Sequence, residues 1–217
     1  MALPYPGVVQ PARTVPSVDD MPAAKKSPTQ TFHVPGLSAK DSTTVVNALQ
    51  ERLFAYTDLH LVLKHVHWNV VGPNFIGVHQ MLDPQVDAVR GFADVLAERI
   101  ATMGGTPIGT PGALVAARSW DDYELTKDTA QAHLGALDLV YSGVIEDNRS
   151  AIDRVGEIDA VTEDILIGQT GDLEQFHWFV RAHLENAGGR LVTEGATTET
   201  QAANAAREPQ RRTRKKA

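Results

Sequence analysis

The chain has 217 residues, 42% of them hydrophobic, enough for one domain with a sizeable core and residues left over for tails. It contains no cysteine, which excludes disulfides, thiolate zinc sites, iron–sulfur clusters and a cysteine nucleophile, and fits a reducing compartment. The net charge of −7 is unevenly spread: residues 207–217 carry six Lys or Arg against one Glu, so an acidic body bears a basic end.

Residues 1–36 hold seven of the twelve prolines. Frequent proline forbids regular helix and sheet ladders, so this stretch is expected to be an extended arm. Its first residues lack a basic start followed by an apolar block, and no apolar run is long enough to cross a bilayer. No signal peptide and no membrane contact are expected, and the cytoplasm is the expected location. Ser38, with Asp41 three residues on, signals a helix start. Leu49, Leu53, Tyr56, His60, Leu63, His67 and Val70 then recur at alternating steps of four and three, one face of a long helix over roughly 40–70. Gly72-Pro73-Asn74 breaks it.

A second helix is expected over about 75–103, with Pro84 inside it bending the rod or loosening one turn. Residues 106–121 form a connection too long for a tight turn, with one short helix near 112–118. Asp121 or Asp122 caps a third helix, about 122–155, and a fourth runs about 160–187 to Gly188-Gly189. Residues 190–217 are polar, Ala-rich and finally basic, and are expected to be a second tail. Short links inside each helix pair and one long link between the pairs predict an all-α fold, the ferritin-like four-helix bundle, over 37–189 with disordered tails at both ends.

The chemistry-bearing residues fall on the first two helices. His67 closes the first. His79, Asp94 and Glu98 share one side of the second, spread over about 100°. Imidazole and carboxylate together suit a first-row divalent ion. Yet Asp94 lies about 22 Å along the helix from His79, so one ion cannot touch both within one chain. A two-fold partner solves this: His67 and His79 of one chain face Asp94 and Glu98 of the other. Taken singly, each residue has a plainer explanation. His33, His60, His133 and His183 are expected as hydrogen-bonded core residues, His65 as a solvent or interface residue, and Trp68 as packing. Glu174-Gln-Phe-His177 is a Glu-x-x-His step of the kind used inside di-iron bundles, but only one copy is present.

The block HWNVVGPNFIGVH with ADVLAERI fifteen residues on resembles the Dps family, the DNA-protecting miniferritins of bacteria. The likeness covers roughly residues 37–189. It implies a hollow homo-dodecamer that takes up Fe(II) at two-fold interfaces, with room for two ions per site. Hydrogen peroxide would oxidise the iron, and ferric mineral would be stored inside. In the family pattern His67 and His79 come from one subunit and Asp94 and Glu98 from its partner. Trp68 and Asp83 are expected beside these ligands, supporting them. The family often has Glu after the second histidine, where this chain has Gln80. Acids at the start of the fourth helix line ion pores in the family, and Asp159, Glu163 and Asp164 stand nearest to that place. The resemblance also implies nucleoid association. The tail cations Arg207, Arg211, Arg212, Arg214, Lys215 and Lys216 would bind DNA without base specificity. Two other readings stay open: a structural nucleoid-compacting protein whose metal site only staples the dimer, and an intrasubunit di-iron oxidase using Glu174 and His177.

Overall fold

A computed structural model of the chain describes residues 32–207. Helix α1 spans Ala39–Asn69, and Ser38 caps it by accepting the Asp41 backbone N–H at 3.1 Å. This is the start signal legible in the sequence. Gly72, at φ 99°, makes the break that a side chain would strain. Helix α2 then runs Phe75–Thr102, straight through Pro84. Pro84 was expected to bend the rod or loosen one turn, and no turn is lost there. Pro84 and Gln80 both lie on the exposed face, so water can satisfy the carbonyl that proline leaves unbonded.

A crossover over 103–129 contains the short helix α3, Pro111–Ala117, close to its expected place. Helix α4 begins at Ala130 and runs to Val155, capped by Thr129 rather than Asp121 or Asp122. The preceding residues are committed elsewhere. Trp120 donates its indole N–H to Asp58 at 2.7 Å, and Arg118 pairs with Asp58 and Asp122. Helix α5 spans Ala160–Ala182, stopping short of the expected 187. The chain turns instead and bridges Glu185 to Leu191, with Gly189 at φ 78°.

Two short contacts fix the topology. Strand β1, Val70–Val71 after α1, pairs in parallel with β2, Asp128–Thr129 before α4. The end of α1 and the start of α4 therefore share one end of the bundle. At the other end the last turn of α2 meets the first of α5, where Arg99 binds Asp159 at 2.6 Å. The helices run up, down, down, up, and the crossover must travel the bundle's length. That is the ferritin-like arrangement.

Leu49, Leu63, Leu82, Leu96, Leu137 and Leu166 fill the centre, each essentially without solvent contact. Buried polar groups tie the helices in one register. Asn148 on α4 donates to Tyr56 on α1 at 2.7 Å and to Thr170 on α5 at 3.3 Å, while Tyr141 donates to Gln85 on α2 at 2.7 Å. Each satisfied pair would leave a costly orphan if the helices slipped.

The stretch from 190 onward is not all tail. Glu199–Arg207 forms α6, which packs on α4 through Ala202, Ala203 and Ala206. Ala-rich polar sequence looked solvated because small side chains carry little hydropathy, yet they allow close approach. Gly135 marks the closest point: a Cβ there would stand 2.6 Å from the Ala202 carbonyl oxygen. Gly135→Ala should lift α6 off the bundle and cost about 1–3 kcal/mol as overpacking. Urea unfolding, with amide hydrogen exchange over 199–207, measures both effects. An unchanged exchange rate there would refute the close packing.

Candidate metal centre

The last turn of α1 presents His67, and the first turns of α2 present His79 and, one turn on, Asp83. The hairpin at Gly72 brings them together. Among the described residues, His67, His79 and Asp83 offer ligand atoms that all lie within 4.8 Å of one another. The two imidazoles stack, ring centroids 3.6 Å apart.

The hydrogen bonds fix what each ring offers. His79 Nδ1 lies 2.9 Å from the His67 carbonyl oxygen. A carbonyl only accepts, so Nδ1 carries the proton and Nε2 is left with its lone pair. His67 is 8% exposed, and both of its ring nitrogens are buried without an aligned hydrogen-bond partner. Its Nε2 stands 2.8 Å from Asp83 Oδ1. An orphan imidazole nitrogen such as Nδ1, beside a nitrogen that meets only a carboxylate, is rare in a packed interior. Here the two fit a divalent cation, which wants neutral imidazole and ionised carboxylate. Desolvation works to raise the Asp83 carboxyl, but the neighbouring Lys64 ammonium and His67 outweigh it and hold it below the usual carboxylate range. Asp83 is therefore ionised and ready at neutral pH. It was expected to support the site from beside it, yet its oxygen is placed as a ligand would be. Its i,i+4 spacing from His79 was the available signal.

Asp94 and Glu98 are not part of this cluster. They are exposed, further down the same unbroken helix, about 22 Å from His79 for Asp94 and about 28 Å for Glu98 at 1.5 Å per residue. Trp68 is not packed inside either. It is 70% exposed beside His67, and Phe75 and Ile76 are exposed nearby, with Phe75 set 5.1 Å from the His79 ring.

The remaining candidates divide. Asp159 caps α5 by accepting the Thr162 N–H and binds Arg99, so it is buried and occupied within the subunit. Glu163 is half-buried and Asp164 exposed. Glu174 pairs with Arg149, while His177 sits 2.7 Å from Asp138, so the Glu-x-x-His step does not converge on one point. His133 is buried against the Tyr123 hydroxyl as expected. His33 and His183 are exposed and His60 half-exposed, which corrects the expectation of core roles. His65 meets the Leu125 carbonyl at 2.8 Å and so pins the crossover rather than facing solvent. Arg207 is engaged by Asp128. Arg211, Arg212, Arg214, Lys215 and Lys216, like the Pro-rich arm, lie outside the described residues.

Comparison with known proteins bears on this arrangement. Residues 46–188 match the model of the ferritin-like domain. The DNA protection during starvation protein of Mycolicibacterium smegmatis is 61% identical over 176 residues, which is 81% of this chain and 96% of that protein. The chain belongs to the Dps family of ferritin-like proteins. Solved Dps structures agree. Mycobacterium smegmatis Dps superposes with a TM-score of 0.76 at 62% identity, covering 77% of this chain and 95% of that one. DpsA14 from Streptomyces coelicolor gives 0.75 at 60% identity, covering 76% and 98%. Among the described residues no helix is long and apolar enough to cross a membrane.

If Asp83 is a ligand, Asp83→Asn should weaken divalent-metal binding by roughly 10- to 100-fold with the bundle intact. Calorimetric titration with Zn(II), beside a far-ultraviolet dichroism control, checks this. Equal affinity would remove Asp83 from the ligand set.

Proposed function

We propose that this Dps-family chain captures Fe(II) as its substrate at sites shared by two subunits. It oxidises the iron, preferably with hydrogen peroxide, and stores ferric mineral inside a closed homo-dodecamer. One observation carries the reading. The hairpin holds half a coordination sphere, with His67 Nε2 facing Asp83 and Nδ1 buried without a hydrogen-bond partner, while the matching acids sit too far along α2 to complete it.

The rim of the half-site supports a partner. Trp68, Phe75 and Ile76 are exposed apolar groups around a polar centre, a pattern that marks association surfaces. In an antiparallel two-fold pairing of these hairpins, the partner subunit's Asp94 and the partner subunit's Glu98 come to His67, His79 and Asp83. Each dimer then has two equivalent sites. The carboxylates neutralise the ion's charge, and the neutral imidazoles complete the sphere.

The electron balance is simple. Two Fe(II) ions each give up one electron, the O–O bond of one peroxide breaks, and two hydroxide ions leave or take up protons. Iron and peroxide are consumed together, so hydroxyl radical does not form. An acidic body draws ferrous ions in and suits mineral nucleation. The tail cations Arg211, Arg212, Arg214, Lys215 and Lys216 would hold DNA by phosphate contacts, placing the protein at the cytoplasmic nucleoid. Arg207 is assigned instead to holding α6 through Asp128.

Complementation tests the shared site. Subunits with His67→Ala and His79→Ala should not oxidise Fe(II) with peroxide, and subunits with Asp94→Asn and Glu98→Gln should not either. Reassembled in equal amounts, about one quarter of the sites unite two intact halves, so about that share of activity should return. No recovery in well-formed mixed oligomers would defeat the model. Wild-type protein that binds iron without consuming peroxide would instead point to a structural staple.

The DNA reading has its own test. Deleting residues 208–217 should abolish gel-shift binding at low salt and leave iron oxidation unchanged, and wild-type binding should fall steeply as salt rises. Undiminished, salt-insensitive binding by the truncated chain would reject the tail's role.

A further inference from the structure

Away from the metal centre, α1, the crossover, α4 and the segment leading into α6 enclose a cavity of about 460 Å³. Asp58, Asp121, Asp122, Glu124, Asp147 and Glu199 line it, and no Lys or Arg is among its lining residues. Some of this charge is already met. Arg118 pairs with Asp58 and Asp122, Arg52 pairs with Asp147, and Thr200 donates to Glu124. Asp121 and Glu124 face solvent. Glu199 is the least satisfied, for its Oε2 is buried with no hydrogen-bond partner. Burial, reinforced by Glu124, Asp58, Asp121 and Asp122, pushes its carboxyl up to about 7. The walls between the acids are apolar, Leu59 and Val140 among them. An apolar bowl with an acidic rim suits side chains with long aliphatic stems and cationic heads.

We propose that this cavity docks the basic end of the chain's own C-terminal segment, residues 211–216. Charge complementarity selects the occupant: Arg211, Arg212, Arg214, Lys215 and Lys216 are the densest run of cations in the sequence. Reach permits it. Helix α6 starts at the cavity with Glu199 and ends nine residues later at Arg207, about 13 Å away, where Asp128 holds it. The ten residues that follow span up to about 33 Å when extended, so a single reversal returns the cations to the rim. Arg207 acts as the pivot.

Docked in this way, the tail is withheld from other anions, and phosphate must compete with the subunit's own carboxylates. Whether that governs DNA binding rests on the reading of the tail given above, whereas the docking does not.

Zero-length carbodiimide cross-linking of the full-length protein tests the contact directly. Mass spectrometry should find Lys215 or Lys216 joined to Asp121, Asp122 or Glu124, and the yield should collapse in about 0.5 M salt. Absence of those links, or links only to other acids, overturns the proposal. In the variant Asp121→Asn/Glu124→Gln, checked for helicity and oligomer size, trypsin should cut after Arg211, Arg212 and Arg214 several-fold faster than in the wild type. Equal rates overturn it, even if the variant binds DNA more tightly, because the cavity would then only repel DNA. Should the links appear while tail deletion leaves DNA binding untouched, docking stands and the DNA reading fails.

Discussion

A straight helix cannot bring residues four turns apart to one ion, and that limit shapes everything in this molecule. Helix α2 is continuous from Phe75 to Thr102. His79 and Asp83 stand near its start, Asp94 and Glu98 near its end. Folding alone leaves the imidazoles with one carboxylate and leaves the distal acids in water. The rigidity that keeps Asp94 and Glu98 out of the His67, His79 and Asp83 cluster would also give a shared site its precision, because a rod holds both half-sites at a fixed separation. Two copies crossing antiparallel would satisfy both ends at once, so the length of α2 and the symmetry of the assembly are one constraint.

The bundle exists, in physical terms, to hold that rod. Buried leucines supply the non-directional part. The directional part comes from a few polar pairs, Asn148 with Tyr56 and Thr170, Tyr141 with Gln85, and Arg99 with Asp159. The last two reach α2 from both helices of the second hairpin, and Asn148 ties those helices to α1. The β1–β2 contact completes the frame, locking the residues just after His67 to the start of α4. The imidazoles thus sit at a tied corner of the bundle, where a mobile chain end would spread the ligand atoms.

Much of this was legible in the sequence because long helices write a period into their apolar residues. The spacing from Leu49 to Val70 predicted α1, and Ser38 predicted its start. The separation of His67 and His79 from the acids at 94 and 98, which the unbroken α2 keeps, was legible from helix rise alone. What stayed hidden has physical causes. The start of α4 was placed too early because Asp121 and Asp122 look like caps, whereas Trp120 and Arg118 tie that segment to Asp58 and Asp122 folds back on Arg118. Helix α6 was missed because alanines at 202, 203 and 206 carry shape rather than hydropathy, and only the groove at Gly135 gives them value. Trp68 was assigned to packing on its chemistry alone. Its exposure overturns that assignment. Asp83 was set beside the ligands because a sequence does not show which rotamer carries an oxygen inward.

The opposed charges of body and tail are best understood as one system. An acidic body attracts ferrous ions but repels nucleic acid, and a basic segment reverses the second effect without touching the first, provided that it is kept apart from the metal-binding surface. The fold provides that separation. Helix α6 lies on α4, and Arg207 is clamped by Asp128 on β2, whereas His67 and His79 lie on the α1–α2 hairpin. Yet β2 pairs with β1, so the root of the tail and the imidazoles leave from the same end of the bundle. The cations at 211–216 follow that root by four to nine residues, close in sequence to the subunit's own carboxylates as well as to any phosphate they would meet. Short reach makes the nearest acids strong competitors, since a tethered cation meets them at high effective concentration.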